Sequence, residues 1–107
     1  MGISSVPIEV GNIEDRHYQA MEALVDTGAT CLIVPRSVLT SLGVHATERG
    51  SFSLANGRST EYDIGFVSLR LEGRALPTPC IFGDEDVESL LGAVSLEIFR
   101  LSPDPVN

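Results

Sequence analysis

Tryptophan is absent, and four phenylalanines and two tyrosines are the only aromatic residues. The core of the folded chain must therefore be aliphatic. Cations are also scarce: seven Lys and Arg against fifteen Asp and Glu give a formal net charge of −8. Nucleic-acid binding needs a basic footprint, so this balance speaks against it. It speaks equally against an anionic membrane surface, and the excess acid reads as solubility. No apolar run approaches the roughly 18 residues that span a bilayer. The start, Met1 to Val6, has neither a basic stretch nor an apolar segment of signal-peptide type. Val6 also breaks the myristoylation pattern. A soluble, cytoplasmic protein is expected. Cysteine is limited to Cys31 and Cys80, with no CxxC spacing, which makes no disulfide framework. Two buried free thiols are the preferred reading, and a Cys31–Cys80 bridge stays open. His17 and His45 have no ligand-spaced neighbours, so no metal is expected. Neither a phosphate-cradling Gly loop nor Gly-x-Ser-x-Gly occurs, and no cofactor is expected.

What is present suits one globular domain over residues 1–107. The apolar fraction of 43% is ordinary and the charged fraction of 21% slightly low. A chain of this length holds one core, not two.

Periodicity gives the elements. Ser5 to Val10 alternates as a strand, with Pro7 confining it to an edge or to its first residues. Gly11-Asn12 is a turn. Arg16 to Val25 is a longer strand, and Cys31 to Val34 a short apolar one closed by Pro35. Arg36 to Leu42 puts Val38, Leu39 and Leu42 on one helical face, with Gly43 as its stop. From Arg49 the period drops to two, with Phe52 and Leu54 on one face. Asn56-Gly57 is a strong hairpin signal, because a type I′ turn needs positive φ at both central residues. Arg58 to Leu71 continues as strand, bent at Gly65, and Glu72-Gly73-Arg74 is a turn. Ala75 to Phe82 reads as an edge-like or broken strand because it holds Pro77 and Pro79. Asp84-Glu85-Asp86 with Glu88 reads as a solvated loop. Leu90-Leu91 is a short strand ending at Gly92, and Ala93 to Arg100 a second short helix. Short strands dominate, so the class is all-β, a small closed β-barrel with two small helices.

One segment carries chemistry. Ala23-Leu24-Val25 runs into Asp26-Thr27-Gly28-Ala29, and Cys31-Leu32-Ile33-Val34 follows. An acid thus stands in a tight turn between two apolar strands. Asp-Thr-Gly alone arises by chance in roughly one or two per cent of chains this long, and its plain reading is a strand-ending turn. Leu90-Leu91-Gly92 alone is a strand leaving the core. Asn56-Gly57 alone is a surface hairpin.

Together and in this order these elements resemble the retropepsin-like (retroviral-type) aspartic proteases over roughly Val6 to Pro105. The likeness is nearest to the small prokaryotic members, on Leu91-Gly92-Ala93-Val94-Ser95-Leu96-Glu97 and Asp104-Pro105-Val106-Asn107. The resemblance implies that Asp26 is catalytic and that Thr27 ties two such loops together. Gly28 and Ala29 would line the cleft floor. Ala55, Asn56, Gly57 and Arg58 would form a flap over bound peptide. Leu90, Leu91 and Gly92 would pass behind the active-site turn, where a residue without Cβ permits close backbone approach. The chain departs from the viral enzymes at Ala93, where they carry Arg, and at Thr30 and Cys31, where they carry acids that hold substrate backbone. It also stops where such relatives usually continue into a last strand.

Carboxylate hydrolysis of a peptide needs a general base and a general acid. Only one Asp-Thr-Gly is present; Asp15, Asp63, Asp84, Asp86 and Asp104 lie in turns or polar loops and lack the bracket of apolar strands. The expected protein is therefore a homodimeric aspartic endopeptidase acting on peptide or protein substrates, with no nucleic-acid or membrane partner. Ala29, lacking the hydroxyl of relatives with Ser or Thr there, predicts a less acidic working pH. The alternative is a non-catalytic peptide-binding or dimerisation module of the same fold.

Overall fold

A computed structural model describes residues 4–15, 17–53 and 59–101. Strands β1 (Ser5–Gly11) and β2 (Tyr18–Val25) form an antiparallel pair, with Ile8 opposite Met21. After the Asp26 turn come β3 (Leu32–Pro35) and α1 (Arg36–Ser41). Strands β4 (Glu48–Ser53) and β5 (Ser59–Leu71) are antiparallel arms of one hairpin, and β6 (Arg74–Gly83) returns along β5. The chain ends with β7 (Leu90–Leu91) and α2 (Ala93–Leu101).

The sheet runs β1-β2-β7-β3-β6-β5-β4, and β1 also pairs with β5 through Glu9, Val10 and Gly11. That last pairing closes six strands into a ring and leaves β4 outside it. The all-β class and the closed sheet expected from the alternation are both present. Ile8 and Val10, Leu32 and Val34, Val67 and Leu69, and Cys80 and Phe82 alternate inward and are buried, joined by Ala23, Leu39, Leu91 and Phe99. Among the described residues, Phe82 and Phe99 are the aromatics of that cluster. Each large aliphatic side chain fully buried stabilises the fold by about 1.5–3 kcal/mol.

Two turns follow directly from local chemistry. Leu71 pairs with Arg74, leaving Glu72 and Gly73 as a two-residue turn with φ of 53° and 81°. Both positive values identify a type I′ turn, whose twist matches the strands. Gly43 stops α1 at φ 80°, and its N–H donates to the Thr40 carbonyl.

Two expectations need correction. The segment holding Pro77 and Pro79 is neither broken nor an edge strand. Strand β6 is continuous, paired with β5 from Arg74 to Ile81 and with β3 from Cys80 to Gly83. Both prolines fall before Cys80, where β6 has β5 as its one strand partner, so no ladder bond to β3 is lost. Pro7 follows the same logic: β1 pairs with β5 only from Glu9 onward. Gly65 lies inside continuous β5, where a Cβ would meet the His45 carbonyl oxygen at 2.7 Å. Finally, Asp63 is a strand residue of β5, not a loop residue. Several boundaries shift by one or two residues, as frayed ends do.

Candidate active site

Strand β2 delivers Asp26 to the rim of the ring. The Asp26 N–H donates to the Leu91 carbonyl at 3.0 Å, the last rung of the β2–β7 ladder. The Ala29 N–H donates back to the Asp26 carbonyl at 3.0 Å, closing a tight turn. Within that turn the Gly28 N–H donates to Asp26 Oδ1 at 2.9 Å. A Cβ on Gly28 would stand 3.2 Å from the same oxygen. Asp26, Thr27 and Gly28 are exposed, and Ala29 is half-buried. The result is a carboxylate oriented by a backbone donor at its base and open to solvent above.

Strand β7 threads between the two strands that bracket this turn. Leu24 and Val25 pair in parallel with Leu90 and Leu91, while Ile33 pairs antiparallel with Leu90. Gly92 then passes directly beneath residues 29–31. A Cβ there would lie 2.6 Å from the Cys31 carbonyl oxygen and 2.8 Å from that of Ala29. Both are backbone atoms, so no side-chain rotation relieves the clash. Helix α2 starts at once, and the N–H groups of Ala93 and Val94 donate to the carbonyls of Ala29 and Thr30, each at 2.9 Å. The first turn of a helix has N–H groups without intrahelical partners, and here the Asp26 loop supplies them.

Of the remaining expected site residues, Ala55, Asn56, Gly57 and Arg58 lie outside the described residues. The arms that would carry them are described. Strands β4 and β5 pair from Glu48–Ile64 to Ser53–Ser59, and β5 pairs with β6 only from Ile64 onward. Asp63 thus stands where the hairpin leaves the ring. Its carboxylate accepts from Arg36 at 2.7 Å and from Arg49 at 2.9 Å. Those hydrogen bonds and charges, Arg36 first, hold the Asp63 carboxyl below the usual range. The Arg36 guanidinium also lies 5.0 Å from the Phe82 ring centroid.

Nothing in the sequence signals this tie, because a lone Asp on a strand has no local partner. Glu85 lies in the exposed loop that the sequence predicts at residues 84–88. Its carboxylate accepts from the Ser37 N–H at 2.9 Å and the Ser37 hydroxyl at 2.5 Å, at the start of α1. These two bonds, with the Arg36 charge, lower the Glu85 carboxyl. Asp104 lies outside the described residues.

Cys31 and Cys80 are free and buried. Burial pushes the Cys31 thiol up, and burial followed by the nearby Cys31 pushes Cys80 up further. Neither is a thiolate nucleophile at neutral pH. A surface groove of about 530 Å³ runs along Pro7, Met21, Arg70 and Gly73 and includes no residue of the Asp26 loop.

Fold and loop define a class: a small closed ring of strands presenting an Asp-Thr-Gly turn at the end of β2. The chain belongs to the aspartyl protease family, whose sequence model matches residues 6–94. Comparison with curated proteins finds no match. Among solved structures, the EIAV protease in complex with the inhibitor HBY-793 superposes with a TM-score of 0.69 at 15% identity, over 96% of this chain and 93% of that one. The simian foamy virus (mac) protease gives 0.60 at 18%, over 92% and 100%. A retropepsin-like aspartic protease from Rickettsia conorii gives 0.54 at 21%, over 91% and 84%. At these identities the likeness is one of fold.

Proposed function

We propose that this chain is half of a homodimeric aspartic endopeptidase, with one active site formed on the two-fold axis by Asp26 from each copy. The observation that carries this reading is the Asp26 turn itself. It is pinned to β7 by its own N–H, its carboxylate is oriented by Gly28, and yet it is exposed in the single chain. An isologous interface sets a residue near the axis against its own copy. Two carboxylates about 3 Å apart cannot both ionise, so they hold one proton between them. The ionised member takes a proton from water, and the oxygen attacks the peptide carbonyl carbon. The protonated member hydrogen-bonds the developing oxyanion. Collapse of the tetrahedral intermediate breaks the C–N bond as a proton passes to the leaving amine. The two acids titrate as a pair, so neither apparent pKa belongs to one residue.

Thr27 would bond across the interface, and Gly28 and Ala29 would floor the cleft. Substrate would bind extended, as an added strand beneath the β4–β5 hairpin. Family membership supports a peptidase, and the retropepsin-type neighbours support the dimer and a peptide substrate. Among the described residues no helix is long and apolar enough to cross a membrane.

The test is Asp26→Asn, assayed on a mixed peptide library beside the parent. Cleavage should fall by about 10²–10⁴-fold, the usual worth of a positioned acid–base group, with the dimer intact on gel filtration. Peptide cleavage equal to the parent's would overturn the catalytic assignment. Peptide binding without cleavage by the parent would leave a binding module instead.

A further inference from the structure

Thr78 and Ser95 are completely buried, and their hydroxyl oxygens are 2.8 Å apart. Thr78 is on β6 and Ser95 in the first turn of α2, so one polar bond joins helix to sheet inside an apolar core. Buried hydroxyls are costly unless paired; here Thr78 and Ser95 pair with each other, and Thr78 Oγ1 also reaches the Pro79 carbonyl oxygen at 3.5 Å. A pair of apolar residues of similar shape would fill the same space without that requirement. What the hydroxyls add is direction, since a hydrogen bond fixes distance and angle where apolar packing allows sliding.

The direction matters because of what lies next to Ser95. Val94 and Ala93 immediately precede it, and their N–H groups hold the Thr30 and Ala29 carbonyls. Ala29 is in turn bonded to the Asp26 carbonyl. From Thr78 the chain of bonds runs through Ser95, the helix start and the loop to Asp26. A second tie seats the far end of α2 on β6: Arg74 donates to the Phe99 carbonyl at 3.1 Å, where a cation suits the helix C-terminus. The axial position of α2 is thus fixed at two points of one strand.

We propose that the Thr78–Ser95 hydroxyl pair is a positioning contact that sets α2 against β6 and thereby fixes the geometry of the Asp26 turn. This rests on the catalytic reading of Asp26 given above. A small displacement of reacting groups costs much in rate and little in stability. A purely structural pair behaves differently: replacing both hydroxyls together should leave the chain as active as before.

The decisive variant is Thr78→Val with Ser95→Ala, which removes both hydroxyls and strands neither. Its urea midpoint should stay near the parent's and its KM within about twofold, while kcat falls at least about tenfold. The amide ¹⁵N and ¹H shifts of Ala29 and Thr30 should move. A parent-like kcat overturns the proposal. If the Asp26→Asn control cleaves as well as the parent, the catalytic reading has failed, and the shifts decide alone: unmoved shifts overturn the positioning role. Should the double variant not fold, Thr78→Ser and Thr78→Ala replace it. Only the former keeps the hydroxyl, so it should retain the parent shifts and kcat while the latter does not. Identical behaviour of the two overturns the proposal.

Discussion

At the residue scale, Gly92 is the position with least freedom. Three backbone atoms, the Cys31 and Ala29 oxygens and the Cys31 carbonyl carbon, stand within 3.0 Å of where its Cβ would be. Gly92→Ala must therefore push the Asp26 loop off β7 or lift α2, and overpacking of this kind costs about 1–3 kcal/mol. The urea midpoint should fall by roughly 1 M with an unchanged slope, since slopes for small proteins are about 1–3 kcal/mol per M. A midpoint equal to the parent's would show that the loop is free to move. The need for a residue without Cβ at Gly92 was legible only through the family resemblance, since Leu90-Leu91-Gly92 alone reads as a strand leaving the core. Which atoms crowd it was not, because Ala29 and Cys31 are distant in sequence.

At the element scale, α1 is held by groups from three other segments. Glu85 binds Ser37 at its start, Asn12 Nδ2 donates to the Leu42 and Gly43 carbonyls just past its end, and Asp63 binds Arg36. Two of these depend on ionised carboxylates whose pKa values folding lowers. Such groups bind protons less readily folded than unfolded. Their contribution is present above the unfolded values near 4 and is lost as pH falls through the lower folded values. The parent should lose stability between about pH 5 and pH 3. Asp63→Asn with Glu85→Gln should be less stable at pH 6 and lose less over that interval. Urea midpoints at several pH values provide the check, and equal slopes for both proteins would refute it. Alternation and the Gly43 stop revealed the helix and its neighbouring strands. The partners that fasten it are cross-chain, and no periodicity encodes them. Likewise β6 was misjudged because proline's lost donor matters only on a side that has a ladder to break.

At the scale of the whole molecule, the proposed enzyme is incomplete in one chain. Specific activity should fall on dilution, as a concentration-dependent dimer requires. A sharper result comes from mixing. If each site needs two Asp26 side chains, equal amounts of parent and Asp26→Asn chains, freely exchanged, should retain about a quarter of the parent activity per total dimer, because only parent pairs are competent. Retention of about a half would mean that each chain carries a full site. The expectation of two chains came from counting Asp-Thr-Gly triplets, which is a sequence argument. That Asp26 stands exposed at the rim of the ring is a structural one.

The sequence by itself determined what depends on neighbours a few residues away. The period-two strands, the Glu72-Gly73 turn with its paired positive φ values, the stop at Gly43 and the Asp-Thr-Gly turn all follow from side chain and backbone within one short segment. Tertiary structure alone decided who stands opposite whom: closure of the ring through β1 and β5, the threading of β7 between β2 and β3, the two arginines on Asp63, and the burial of Thr78 against Ser95. Those pairings join residues from distant parts of the chain. They are selected by packing of the whole core, where many registers satisfy the local pattern and only one buries the aliphatic faces together with their polar groups paired.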